Sequence, residues 1–491
     1  MVVSMKKLLV TLTCIFTLCA GLFAKNDTYI YDFWAEYEKS PDAYRLVDVK
    51  YATDFGLETE FKNVSGIFCQ YDAVFICDSG NNRIVEFKYK ADKSLELVRS
   101  IESFNAPEGV VNTFNSPSDI FINKDKTIFI ADTSNGRVLK LDNDLNYIME
   151  FREPDDPTYE KGKEFLPTRV VADSKGRAYV LSKNVNKGFI KYEYDGTFEG
   201  FFGASEVVYN PLDLIWKKLA TRAQREQMVN FVPTEYSNCY LDREGFIYAT
   251  TKTFEEWDLL SDRAKPIRRL NALGSDILIK NGEYLPIGDQ QWGDAGGVKT
   301  PSKFSDITVL ENDVYLAVDD ARGRIFAYNN QGQLLFAFGG RGNIDGYFRQ
   351  PVGIDHIGYD IFVIDSTDNN ITIFTPTKYG TLVYGATEDF AVGDYDASAA
   401  KWDEVLKING NYDLAYVGLG KSALRQDQYE EAMEYFKVKR SRKNYSKAYK
   451  YYRKEWIEEH IGVICIILLI AIVIPFIVKH IKAFVKELNS L

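Results

Sequence analysis

Histidine is almost absent, with three residues in a chain of 491, and two of them, His460 and His480, flank a long apolar run. Only His356 remains in the body, so a zinc centre built on three histidines is excluded. Cysteine is scarce too. Of the six, Cys14 and Cys19 lie in the apolar start of the chain and Cys465 in the apolar run near its end. The remaining Cys69, Cys77 and Cys239 are odd in number and make no disulfide framework. Cys69 and Cys77 stand on either side of the turn Gln70-Tyr71-Asp72-Ala73, where a bond across a hairpin is one alternative and free thiols the other. A glycine-rich phosphate loop is missing, because Gly339-Gly340-Arg341-Gly342 reads as a turn between strands, and no nucleophile stands in evident partnership with a base. The net charge is −11, yet nine Lys and Arg with no acid are gathered in residues 437–454, so the rest of the chain is more acidic still. Such a body is unsuited to nucleic acid.

What the sequence does have is a repeated phrase. Cys77-Asp78-Ser79-Gly80-Asn81-Asn82-Arg83-Ile84-Val85 recurs as Ala131-Asp132-Thr133-Ser134-Asn135-Gly136-Arg137-Val138-Leu139, again as Val318-Asp319-Asp320-Ala321-Arg322-Gly323-Arg324-Ile325-Phe326, and in worn form from Ile364-Asp365 to Ile373-Phe374. Around it, six similar units run over residues 64–386. Each opens with a short strand, turns, and returns along a second strand at 73–76, 127–130, 177–181, 246–250, 314–318 or 360–364. Pro117, Pro167, Pro233 and Pro351 precede opening strands, where a missing N–H is tolerated. Fourth strands are expected at 95–101, 148–152, 198–203, 334–339 and 382–385. Six such sheets bury both faces only by packing radially, which predicts a mainly β, six-bladed propeller over residues 44–390 after a lead-in at 25–43. The strand at 46–50 is expected to complete the last blade and close the ring. A helical insertion is expected at about 204–230, opened by Asn210-Pro211.

The pattern Pro-x-Asp/Gly-Ile, followed by an apolar strand ending in Asp-x-x-Asn-x-Arg-Val, resembles the NHL repeat of β-propeller proteins. The match is clear in units one, two, five and six. It is weak in unit three, which has Ser182-Lys183 at the aspartate position, and weakest in unit four, where Thr250-Thr251-Lys252 precedes an insertion at 254–264. Beyond the ring, residues 394–459 read as helical. Leu419-Gly420, Tyr429, Ala432 and Phe436, with Trp402 one repeat earlier, resemble about one and a half tetratricopeptide (TPR) repeats; a plain helical stalk is the alternative.

Both ends carry membrane signals. Residues 1–24 have Lys6 and Lys7 before an apolar run and small residues, the pattern of a signal peptide. Residues 461–478 contain no charge and are long enough to span a bilayer as a helix, leaving 479–491 as a cytoplasmic tail. Together these predict a single-pass protein of the cell membrane with its body on the extracytoplasmic side. The basic segment beside the span opposes this, since positive charge favours the cytoplasmic side, and a tail-anchored cytoplasmic adaptor is the alternative.

Two sets of residues stand out. The pairs Asp78 and Arg83, Asp132 and Arg137, and Asp319 and Arg324 recur at one spacing, and repetition argues for architecture, so these are expected to be inter-blade ties. The third residue of each opening motif varies instead, and Asp119, Arg169, Glu235 and Asp306 are expected to ring one mouth of the channel as ligand-binding groups. Propellers of the gluconolactonase type hold a divalent cation with axial carboxylates. By that resemblance Asp119, Glu235 and Asp306 are an alternative calcium site for a metal-dependent hydrolase or lyase. Otherwise no cofactor is expected. The principal expectation is a binding or scaffold protein whose partner is another protein. Similar propeller-plus-TPR membrane proteins imply a place beside a membrane transport system for sugars.

Overall fold

The computed structural model describes residues 28–490, apart from 33, 35, 160–162, 205–234, 253, 255–258, 260–264, 283 and 291–299. The expected signal peptide therefore lies outside the described residues, as does nearly all of the expected helical insertion.

Six antiparallel sheets follow one another along the chain. Their innermost strands are Val64–Gln70, Pro117–Ile122, Pro167–Ala172, Tyr236–Leu241, Phe304–Val309 and Pro351–Ile357. Each lies beside the next, and the last lies beside the first, so the chain is a closed six-bladed β-propeller. The second strands are buried almost throughout, at every position in Ile128–Asp132 and Tyr315–Asp319, because both faces pack on neighbouring blades. Every inner strand is irregular between its first and third residues, at Pro117/Asp119 and its five equivalents. A bulge of this kind adds twist and re-aims the residues that follow it.

The ring is closed by Tyr44–Lys50, which pairs with Asn370–Pro376 of the last blade, as the sequence predicts. The helix Lys378–Val392 takes the place of the strand expected at 382–385. The physical reason is that residues 44–50 already occupy that edge, while Tyr379, Val383 and Ala386 are buried at helical spacing. The lead-in is more ordered than expected. Tyr29–Tyr31 and Tyr37–Lys39 form a hairpin that extends the fifth blade from Leu334–Gly339, giving that sheet six strands. The fourth blade has three strands among the described residues. Cys69 lies opposite Val74 and Cys77 opposite Gly66, so the two do not face each other and both are free.

Residues 385–491 form a second unit of helices. Tyr395–Ile408 is capped by Asp394, whose carboxylate accepts from the Ala397 N–H at 3.0 Å. It packs on Asp413–Arg425, which packs on Tyr429–Val438, which in turn packs on the 47-residue helix Arg442–Leu488. Small residues let these helices approach. Gly418 meets the Trp402 indole and Gly420 meets the Phe436 ring so closely that a Cβ at either would clash. Arg442–Leu488 is long and apolar enough to cross a membrane.

Candidate functional site: the axial channel

The recurring Asp–Arg pairs lie away from the channel. In blade two Arg137 Nε donates to Asp132 Oδ2 at 2.8 Å, with both side chains almost completely buried. Asp132 Oδ1 accepts from the Asn115 N–H at 2.7 Å, and Arg137 Nη2 donates to the Val111 carbonyl at 2.7 Å. The pair thus clips the connection arriving from blade one onto the hairpin of blade two. Asp78 and Arg83 repeat the arrangement with Lys62 and Thr59. Blade five departs from it. Asp319 accepts from the Lys303 and Ala321 N–H groups, both at 2.9 Å. Arg324 turns instead to Asp289, a buried carboxylate that also accepts from the Tyr29 and Tyr31 hydroxyls at 2.9 and 2.6 Å. That arginine has been diverted to hold the N-terminal hairpin.

The inner-strand register defines the ring at the channel. Gly66, Asp119, Arg169, Asn238, Asp306 and Gly353 occupy equivalent positions, paired with Cys77, Ala131, Leu181, Thr250, Val318 and Ile364. Blade four therefore contributes Asn238. Glu235 lies one residue ahead of its strand, where its Oε1 accepts from the Asn184 N–H at 3.2 Å. Pro233 misleads the alignment, because Tyr236 fills the place that Pro117 and Pro167 hold elsewhere. The separation of each ring residue from its second-strand partner was the available signal. It is the same for Asp119, Arg169 and Asp306 as for Asn238 and Thr250.

Inner strands of adjacent blades splay apart without hydrogen bonding to each other as a ladder, and the acids bridge them. Asp119 Oδ2 accepts from the Val170 N–H of the next blade at 2.9 Å, and Asp306 Oδ2 from the Ile354 N–H at 2.8 Å. Asp355, which the sequence reading missed, does the same across the closing junction, accepting from the Cys69 N–H at 2.6 Å and from the Thr308 hydroxyl at 3.0 Å. Arg169 reaches furthest. Its Nη2 donates to the Ser65 carbonyl of blade one at 3.0 Å, passing blade two.

Below this ring lies a cavity of about 250 Å³ to which all six inner strands contribute, through residues 66–70, 119–124, 170–171, 238–243, 306–307 and 354–355. The numbering of these segments gives its direction. It begins at the ring and runs toward the first hairpin turns, where Lys124 and Arg243 stand. Arg169 is not part of its wall and closes the opposite end. Carboxylates thus form the polar floor, Phe68, Phe121, Val171 and Tyr240, each two residues beyond the ring on its strand, the largely apolar middle, and charged side chains the mouth.

Burial sets the electrostatics. Asp119 is half-buried, but the surface it exposes faces the cavity, and burial raises its pKa to about 6 against the opposing pull of Arg169. Asp306 is buried, and the same two influences leave its pKa at about 8. Near neutral pH the floor thus holds at least one neutral carboxyl group, able to donate as well as accept. Burial also raises the Cys69 and Cys239 thiols, which keeps them protonated rather than nucleophilic. A native pKa above the unfolded value of about 3.9 means that the folded state holds protons the unfolded chain releases. Stability is therefore expected to fall as pH rises from about 4 to about 8, by up to about 1.4 kcal/mol per pH unit for one such group. Asp306→Asn is expected to flatten that slope, read from denaturant midpoints at pH 5 and pH 8; an unchanged slope would show that Asp306 is not the group responsible.

Asp119 and Asp306 do not gather a third metal-binding side chain. Among the described residues no group of three His, Cys, Asp or Glu is placed to hold a metal ion, and Glu235 belongs to a different part of the blade. The alternative calcium set, Asp119, Glu235 and Asp306, is not among such groups.

The fold defines the class, a six-bladed β-propeller followed by helices, of which the last is a candidate membrane span. No family model matches the chain, and no curated protein does. Among solved structures it is similar to a catalytically inactive virginiamycin B lyase from Staphylococcus aureus with quinupristin, at 13% identity over 67% of this chain and 99% of that one, TM-score 0.40. It is also similar to a streptogramin B lyase, at 11% identity over 69% and 100%, TM-score 0.40. A third is the extracellular domain of a hybrid two-component system from B. thetaiotaomicron, at 10% identity over 67% and 38%, TM-score 0.35.

Proposed function

We propose that this chain is a membrane-anchored, extracytoplasmic binding protein whose propeller holds a small ligand in its axial cavity. One observation carries the reading: a cavity of about 250 Å³ has contributions from all six blades and a floor of carboxyl groups, Asp306 buried and Asp119 half-buried. That volume suits a ligand about the size of a monosaccharide or an amino acid. A floor holding a neutral carboxyl group beside an ionisable one suits hydroxyls or an amine, because it both donates and accepts. The NHL-like phrase supports the blade assignment, and the TPR-like packing of Gly420 on Phe436 supports a groove for a protein partner, with a membrane transport system as the setting.

The test uses the full chain extracted in mild detergent and examined by native mass spectrometry. A small molecule is expected to remain on the wild-type protein and to be lost from Asn238→Phe, which fills the cavity. A calorimetric melt of the variant checks that the ring still forms, and Asp119→Asn provides a milder second variant. Masses equal to the bare chain for all three proteins, with no adduct after incubation with pooled sugars and amino acids, would end the proposal.

The basic run at 437–454 favours the second reading, a cytoplasmic body on a tail anchor. Protease treatment of intact cells separates the two: digestion of the propeller supports the exported body, and protection supports the adaptor.

A further inference from the structure

At the channel, blade four contributes the one side chain with an unused donor. Asn238 holds the ring position, lines the cavity and is only 4% exposed. Its Oδ1 accepts from the Cys239 N–H at 2.8 Å, which fixes the oxygen on that side of the amide. The Nδ2 hydrogens make no bond among the described residues, and a donor left unpaired in so buried a side chain is costly. The carboxyl groups of the cavity are acceptors held in place by the backbone. Asp306 accepts from the Ile307 and Ile354 N–H groups at 2.7 and 2.8 Å, Asp119 from the Val170 N–H, and Asp355 from the His356 N–H at 2.9 Å. An ionised carboxylate offers roughly four acceptor sites, so capacity remains beyond these bonds. Two residues further along their strands, Phe68, Phe121 and Tyr240 line the cavity. The Phe68 and Phe121 rings stand edge to face, their centres 5.5 Å apart.

A ligand group seated at this floor meets a free donor and carboxyl acceptors together. An ammonium only donates, so it leaves the Asn238 amide unpaired. A carboxylate only accepts, so it gives nothing to the acceptor oxygens around it. A hydroxyl does both. Resting on the reading of the cavity as a ligand site, we infer that its occupant is a neutral cyclic polyol, a pyranose or a cyclitol, whose hydroxyls accept from Asn238 and donate to Asp119 or Asp355. Asn238 is then the residue that sets the preference for hydroxyls over amines and amino acids. The walls fit the rest of such a molecule. A ring of C–H groups packs on Phe68, Phe121 and Tyr240 while the hydroxyls on its edge reach the floor.

The experiment titrates the full chain in mild detergent by calorimetry, with D-glucose, D-galactose, D-mannose and myo-inositol as one set and glycine, lysine and putrescine as the other. At least one polyol is expected to bind, and none of the amines. Asn238→Ala is expected to bind that polyol about ten-fold more weakly. Phe121→Leu, which keeps the wall apolar, is expected to weaken it as well. Among monodeoxy analogues of the bound polyol, one is expected to bind wild type about ten-fold more weakly than the parent compound and Asn238→Ala as well as the parent does, which assigns that hydroxyl to the amide. Phe121→Leu and the deoxy series on wild type do not depend on the folding of Asn238→Ala. An amine that binds as tightly as any polyol, or equal polyol affinity in Asn238→Ala, would overturn the inference and leave the cavity reading standing. Binding of neither set would overturn it too, and the presence or absence of an adduct in the native mass spectrum then decides whether the cavity reading falls with it.

Discussion

Deleting residues 28–50 is expected to abolish the cooperative unfolding of the propeller, not merely to lower its midpoint. Tyr44–Lys50 supplies the outer strand of the last blade, and without it Asn370–Pro376 becomes an open edge. Six of that strand's seven residues are buried. Tyr44 itself is wholly buried, its ring stacked on Phe338 at 4.9 Å and its hydroxyl donating to the Tyr359 carbonyl at 3.0 Å. Losing one such aromatic costs about 3–5 kcal/mol, against a total stability of about 5–15 kcal/mol for a typical domain. The deletion also removes the hairpin anchored at Asp289, leaving Arg324 without that assembly. Calorimetry and limited proteolysis of the detergent-solubilised chain provide the readout. Removing residues 28–39 alone is expected to be milder, because blade five retains four strands of its own. A sharp transition at the wild-type temperature in the longer deletion would mean that the ring does not depend on this strand.

Asp132→Ala is expected to be the most damaging single substitution in the repeats, at about 3–5 kcal/mol. It leaves the Arg137 guanidinium buried with its principal carboxylate gone, and it frees the Asn115 N–H. Among the described residues Glu150 is the other acid paired with Arg137, at 3.3 Å, and it is shared with Arg152. Removing both charges, as Asp132→Ala with Arg137→Leu, is expected to recover part of the loss, because no buried charge then remains. Asp319→Ala should cost less, since Arg324 keeps Asp289 and the groups that lose their acceptor, the Lys303 and Ala321 N–H groups and the Ser302 side chain, carry no charge. Urea midpoints of the four proteins test the order. If Asp319→Ala proves as costly as Asp132→Ala, the pairing described for blade five is wrong.

The sequence made the blades legible because strand, turn and aspartate recur in four of six units, and the radial solution follows from sheets that must bury two faces. The closing strand was legible for the same reason, as a strand left over at one end of a set that lacked one at the other. The helix Lys378–Val392 was misread because a short apolar run fits either period, and only the occupied edge decides between them. The N-terminal hairpin was missed because its strands of three residues carry almost no signal alone; a neighbouring edge and the buried Asp289 define them. At the channel, Asp119, Arg169 and Asp306 were placed by the repeat itself. Glu235 was misplaced because a proline outweighed the constant strand separation. Asp355 lies two residues beyond Gly353 on the same inner strand, so the alternation of a strand pointed to it, but its role as a bridge between the last and first blades needs the closed ring.

Hydrogen–deuterium exchange on the full chain, with and without the dialysable small-molecule fraction of its growth medium, tests the binding reading most directly. Protection is expected in the segments 66–70, 119–124 and 238–243, which face the cavity from three blades. Unchanged exchange there, or protection confined to outer strands such as Leu95–Ile101, would contradict a ligand held on the propeller axis.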